Sequence, residues 1–239
     1  MTGVTIFKAL LFSCLLITAG SARTITFSGY TWNVKNSTSP VGPGPNLFSD
    51  SSNNVWVDTA GRLHLAITYS RGKWHCAEVV LAQSLGYGNY RFFLDSAVDN
   101  LDPSVVLGLF TWDDLPDYNH RELDIEFARW GNAANRNGQY TVQPYNVAGN
   151  QYVFVEPAGL PQSTHAFNWQ SGSVLFQSWA GVATYPPAAP FASFNYTNVP
   201  GIPLPGGDNA RMNLWLFRGR APTNRTAVEV IVNRFEYVQ

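Results

Sequence analysis

The strongest constraint on the fold is a periodicity of two. Leu63-His64-Leu65-Ala66-Ile67-Thr68 alternates apolar and polar residues, and Val228-Glu229-Val230-Ile231-Val232-Asn233 does the same with a leakier outer face. Successive side chains of an extended strand point to opposite faces, so such runs bury one face and wet the other. Residues 90–94, 105–112, 140–145 and 212–217 are further strand candidates. They are rich in β-branched or aromatic residues and bounded by Gly, Pro, Asn or Asp. Beyond residue 22 no stretch repeats at 3.6 over the length of a helix. Many strands with turn signals between them point to an all-β sandwich or barrel.

Composition removes other classes. The chain is 45% hydrophobic and only 13% charged, too apolar and too weakly charged for disorder. Its formal net charge of -1 leaves no basic excess to neutralise phosphates, so nucleic acid is not an expected partner. Gly42-Pro43-Gly44-Pro45 has glycines but no phosphate-loop Lys-Ser or Lys-Thr.

The first 22 residues read as a secretory signal. Lys8 supplies the positive charge, residues 9–19 are mostly apolar, and Gly20-Ser21-Ala22 offers small residues at the cleavage spacing. The expectation is a secreted chain with no membrane attachment after cleavage, and residues 23–239 as one domain acting as a monomer. Cys14 leaves with the signal, and Cys76 remains without a partner; a buried, inert thiol is the expectation. Asn36-Ser37-Thr38, Asn195-Tyr196-Thr197 and Asn224-Arg225-Thr226 are glycosylation triplets that matter only in a eukaryotic secretory pathway. Residues 37–54 and 185–208, dense in proline, read as ordered loops over the sheet surface.

The sharpest chemical feature is His120-Arg121-Glu122-Leu123-Asp124-Ile125-Glu126-Phe127, which holds two of the chain's six glutamates. As a strand it turns Leu123, Ile125 and Phe127 one way and the carboxylates the other, with His120 on the acidic face. Glu122 and Glu126 stand roughly 13 Å apart along the backbone, and only inward-leaning side chains bring their carboxyl groups closer. Like charges on one face raise at least one pKa, which suits a general acid. The pattern alone leaves other readings open: a solvated outer strand, protection of a sheet edge, or a site for a hard cation. Trp112, Trp130 and Trp215, in or near predicted strands, are either packing residues or sugar platforms.

Glu122-Leu123-Asp124-Ile125-Glu126 resembles the glutamate-x-aspartate-x-glutamate signature of glycoside hydrolase family 16. Trp74-His75-Cys76-Ala77-Glu78, Tyr87-Gly88-Asn89-Tyr90-Arg91, residues 105–112, Met212-Asn213-Leu214-Trp215 and residues 228–237 resemble other parts of the family pattern. The resemblance implies a β-jelly-roll sandwich of two antiparallel sheets with a concave substrate cleft, and an endo-acting retaining hydrolase of β-linked polysaccharide. It implies Glu122 as nucleophile, Glu126 as acid/base and Asp124 as the residue that tunes Glu122. Glu78, Phe110, Trp112, His120, Asn213 and Trp215 would meet the sugar. No cofactor is required; a structural calcium is compatible, with ligands the sequence does not assign. The chain departs from the pattern in three ways. Cys76 has no second cysteine, Val80 stands where an arginine is expected, and Ser163-Thr164-His165 replaces a His-x-Tyr. A transglycosylase and a non-catalytic carbohydrate-binding protein remain alternatives.

Overall fold

A computed structural model describes residues 23–186 and 189–239. The signal assigned to residues 1–22 lies outside the described residues. The chain runs through β1 (Thr24–Phe27), β2 (Tyr30–Val34), β3 (Val55–Val57), β4 (Leu63–Ser70), β5 (Lys73–His75), β6 (Ala77–Ser84), β7 (Gly88–Leu94) and β8 (Val105–Trp112). It continues through β9 (Leu123–Ala128), β10 (Gly138–Val142), β11 (Gln151–Phe154), β12 (Ser163–Gln170), β13 (Ser173–Ala180), β14 (Ala192–Tyr196), β15 (Asn209–Leu216) and β16 (Val228–Val238). Short 3-10 turns are the only helical elements among the described residues.

Two antiparallel sheets form. One has the order β1-β2-β6-β15-β8-β9-β10-β11, and the other the order β14-β13-β12-β7-β16-β4-β3, with β5 paired to β4. Strands distant in sequence are neighbours in both, as in a jelly roll. The inner faces meet in one core. Leu107, Leu109, Leu123, Ile125, Phe127, Met212 and Leu214 from the first sheet face Phe92, Phe167, Phe176, Val230 and Phe235 from the second. Each such side chain contributes roughly 1.5–3 kcal/mol of transfer free energy. The alternation that buries Leu123, Ile125 and Phe127 necessarily turns Asp124 and Glu126 to the outer face of the first sheet.

The structure differs from the sequence expectations at several places. The strand expected over 140–145 ends at Val142, because Pro144 cannot donate to a ladder. The segment 185–208 is not all loop: Ala192–Tyr196 pairs with β13 and closes the edge of the second sheet. Its aromatics explain this, since Phe194 stacks 5.5 Å from Tyr152 and 6.1 Å from Phe176. Residues 37–54 do form an ordered connection, pinned by bridges Val41–Asn46 and Phe48–Cys76. His120 is not on the strand. It lies in a turn before it, with φ of 64°. Cys76 is fully buried and burial pushes its thiol up to about 12, so the thiol is inert. His165 is buried in the core beside Ser163 and Ser178, and desolvation holds it neutral, at about 3. No described helix is long and apolar enough to cross a membrane.

Candidate active site

The outer face of the first sheet carries a cavity of about 640 Å³. Its floor is built by register. Phe110 pairs with Asp124 and Gly108 with Glu126 across β8–β9; Arg211 pairs with Phe110 and Asn213 with Gly108 across β8–β15. Paired residues of an antiparallel ladder share a face, so these side chains converge. Gly108 has a steric reason to be glycine: a Cβ there would lie 2.5 Å from Asn213 Oδ1.

Glu122, Asp124 and Glu126 all line this cavity. Glu122 sits just before β9 in extended conformation, and Asp124 is 3% exposed. Glu122 and Glu126 are half-buried at the cavity surface. Burial is the largest influence on each, and it favours the neutral form. Glu126 is pushed up to about 8, by burial and then by the charge of Asp124. For the Glu122–Asp124 pair, burial raises both. The hydrogen bond between them then favours the ionised form of Glu122 and the neutral form of Asp124. Glu122 is nonetheless pushed up to about 8, by burial first and then by the charge of Glu126.

Two glutamines sort these acids further. Gln139 faces Glu126 across β9–β10 and donates to its Oε2 at 2.6 Å. Trp130 Nε1 donates to Gln139 Oε1 at 3.0 Å, which fixes the amide's orientation, because an indole can only donate. Gln143 donates to Asp124 Oδ2 at 2.8 Å while its own oxygen accepts the Tyr145 N–H. The sequence held a signal for both. Gln139-x-Thr141-x-Gln143 has the same period of two as the acidic trio and runs antiparallel beside it.

At the other side of the cavity Glu78, 1% exposed, accepts from Lys35 Nζ at 2.9 Å and lies 3.6 Å from Arg211 Nη1. Asn213 Nδ2 donates to it at 3.4 Å. Lys35 also holds the Gly42 carbonyl at 2.8 Å, so the 37–54 connection forms a wall of the cavity. Position 80 is indeed valine, but Arg211, its partner across β6–β15, brings a guanidinium to this end of the cavity. Sequence reading missed Lys35, Arg211, Gln139 and Gln143. Phe110, Trp112 and Trp215 line the cavity with Glu78 and Asn213. Trp130 does not; it packs 6.1 Å from Trp215. His120 is not a lining residue either. Its ring stacks 4.0 Å from Trp112, and its Nδ1 lies 2.9 Å from the Asp113 carbonyl, so it backs the tryptophan.

Just before Glu122 the backbone is strained. Tyr118, Asn119, His120 and Arg121 all have φ between 51° and 64°, a left-handed turn without glycine. Each such residue costs of order 1–2 kcal/mol. Arg121 holds the turn down: its Nη1 donates to buried Asp113 at 2.8 Å and its Nε to the Leu204 carbonyl at 2.9 Å. Thr111 Oγ1 donates to the Arg121 carbonyl at 2.8 Å. Among the described residues no group of three or more His, Cys, Asp or Glu is arranged to hold a metal ion.

No protein-family model matches the sequence, and no curated protein matches it. Solved structures do match. A β-glucanase of Bacillus licheniformis has a TM-score of 0.63 at 22% identity, covering 92% of this chain and 99% of that one. A β-1,3-1,4-glucanase (lichenase) from a mouse hindgut metagenome has a TM-score of 0.60 at 21% identity, over 86% and 92% of the two chains. An immunostimulatory antigen and pseudo β-1,3-glucanase of Mycobacterium tuberculosis has a TM-score of 0.63 at 18% identity, over 87% and 91%. The fold is thus the jelly roll seen in β-glucanases, as the resemblance to glycoside hydrolase family 16 implied.

Proposed function

We propose that this chain is a retaining endo-β-glycan hydrolase of the glycoside hydrolase family 16 type, acting on a β-glucan. One observation carries the reading: three carboxylates share one cavity, and burial raises all three. Glu122 and Glu126 are both raised to about 8, but the hydrogen bond with Asp124 and the charge of Arg211 favour ionised Glu122, which makes it the better candidate for the nucleophile. Glu126, raised to about 8, holds the proton a leaving oxygen needs at neutral pH.

In the first step Glu122 attacks the anomeric carbon while Glu126 protonates the departing glycosidic oxygen. A covalent glycosyl-enzyme forms and the leaving chain departs. In the second, Glu126 takes a proton from water, whose oxygen displaces Glu122 with net retention. Phe110, Trp112 and Trp215 offer flat apolar surface to sugar faces, while Asn213, Arg211 and Glu78 offer hydrogen-bonding groups. Similar neighbours support the substrate class: two carry glucanase names. Secretion, the expectation from residues 1–22, suits an enzyme whose substrate is a polymer.

The fold also carries a protein named a pseudo β-1,3-glucanase, so a non-catalytic glycan-binding role is the second reading. Turnover of laminarin and mixed-linkage glucan by the wild type, set beside Glu122→Gln, separates the two. The expected result is hydrolysis by the wild type, none by the variant, and retained glycan binding by both. Full activity in the variant would overturn the assignment of Glu122; binding without turnover in the wild type would favour the second reading. Added oligosaccharide acceptors reveal transglycosylation in the same assay.

A further inference from the structure

A second cavity, of about 280 Å³, lies beside the first. Apart from Tyr196 at the end of β14, its walls are connections rather than strand faces. Tyr118 and Asn119 come from the link between β8 and β9, Gln143 and Asn150 from the link between β10 and β11, and Asn198 from the link between β14 and β15. A glycan lying across the strand faces would pass over β9 and β10; this cavity opens off that line, at the strand ends.

Its chemistry is uniform. None of its lining residues is charged, and four of them are amides. Gln143 and Asn150 already hydrogen-bond within the protein through both ends of their amides, while Asn119 and Asn198 are exposed; a primary amide donates and accepts at once, which matches the paired hydroxyls of a sugar ring. Tyr118, 46% exposed, adds an aromatic face of the kind that covers a ring's C–H surface. A cavity just below the roughly 300–1,000 Å³ usual for ligands has room for one ring and not for a chain. The absence of a cation from the lining disfavours a uronic acid or a sulfated sugar.

The cavity is joined to the acidic trio by one side chain. Gln143 lines it and also donates to Asp124 at 2.8 Å. Another part of its lining is the left-handed turn that leads into Glu122, with Tyr118 at φ 53° and Asn119 at φ 52°. Strain of that kind persists where the surroundings over-determine it, and it clusters at functional sites.

We propose that this cavity is a second saccharide subsite, which takes a single uncharged sugar carried as a branch on the glycan bound in the main cleft. The proposal rests on the β-glycan hydrolase reading above for its ligand class. An occupant would touch the amide that holds Asp124, so its binding energy is available to the reaction as well as to affinity.

Asn198→Trp fills the cavity from an exposed position outside the main cleft. Two matched substrate pairs serve as probes: linear β-1,3-glucan oligosaccharides with and without β-1,6 branches, and cello-oligosaccharides with and without xylosyl branches. The expected result is that the variant loses about fivefold or more in kcat/KM on the branched member of the pair that is turned over, and under about twofold on the linear one. Equal losses on both, or none on either, would overturn the proposal. Calorimetric binding to Glu122→Gln provides a readout that does not need Asn198→Trp to fold. Branched oligosaccharide should bind about fivefold more tightly than linear; equal affinities would refute the subsite. If the wild type turns over neither member while Glu122→Gln still prefers the branched one, the hydrolase reading has failed and the subsite stands.

Discussion

Replacing Gln139 with Leu tests the acid assignment through a pH profile. Gln139 donates to Glu126 Oε2 at 2.6 Å, and the Trp130 indole forces its amide to present N–H rather than oxygen to the carboxyl. A hydrogen bond to an ionised acceptor contributes roughly 1.5–3 kcal/mol, and one between neutral groups roughly 0.5–1.5 kcal/mol. The amide therefore favours ionised Glu126 by about 1–1.5 kcal/mol, close to one pH unit at 1.36 kcal/mol per unit. Removing it leaves burial and the charge of Asp124 unopposed, so the value of about 8 should rise. An acid works while it keeps its proton. The alkaline limb of kcat/KM on mixed-linkage glucan should therefore move up by about one unit in Gln139→Leu. The unpaired Trp130 N–H will also cost about 1–3 kcal/mol of stability, so melting is followed in parallel. An aryl glycoside with a good leaving group needs little protonation, and its alkaline limb should respond less. An alkaline limb that stayed in place or moved down on the polysaccharide would refute the argument that Gln139 stabilises ionised Glu126.

Three further outcomes follow from the same structure. Asp124→Asn keeps the shape and a hydrogen-bond donor but removes the titrating proton; it should slow glycosyl-enzyme formation while melting as the wild type does, and an unchanged pre-steady-state burst would deny Asp124 its tuning role. Arg121→Met leaves buried Asp113 with the Leu115 and Gly207 N–H groups; at the low end of the roughly 3–5 kcal/mol for breaking a buried pair it should lower the Tm by about 6–12 °C, and a raised Tm would mean that the strain of the left-handed turn outweighs the ion pair. Glu156 is 1% exposed and burial raises it to about 8, above an unfolded value near 4.3. The folded state thus keeps a proton the unfolded chain has lost, so this contribution is complete below about pH 4 and declines by about 1.4 kcal/mol per unit as pH rises toward 8. Glu156→Gln should flatten that decline in urea unfolding across this range, and an unchanged slope would assign the pH dependence elsewhere.

The elements legible in the sequence were those whose pattern is local. β8 occupies the stretch expected of it, β4, β7 and β16 extend theirs by a few residues, and β15 starts earlier than expected and stops at Leu216; their apolar faces all meet the one core. β1, β2 and β11 were harder to see. They are short edge or near-edge strands whose outward residues carry no clean alternation; β1 and β11 pair with their sequence neighbours β2 and β10, and β2 also pairs with β6 farther along the chain. β14 was hidden by the prolines around it; its pairing with β13 and its stacking against Tyr152 and Phe176 make it a strand. His120 was misplaced for a related reason. Period two continued backward from Glu122 puts it on the acidic face, but the left-handed turn breaks the period at Arg121, and four successive positive φ values are uncommon without glycine.

The acidic trio was visible because its alternation lies on one strand, and what distinguishes its members was not, because it lies on the next. Glu122, Asp124 and Glu126 are near-equivalent in sequence. The difference among their surroundings comes from β10 and its end, where Gln139 meets Glu126 and Gln143 meets Asp124, each favouring the ionised acid. It also depends on Arg211 on β15, whose charge lowers Glu122, and on Trp130, which aims Gln139. A chain could therefore keep the three carboxylates and the jelly roll and still lose the proton arrangement through a neutral-looking change at 139 or 143. That is a physical route by which one fold could hold both working glucanases and silent ones. It makes the pH profile a sharper probe of this protein's chemistry than the presence of the three acids.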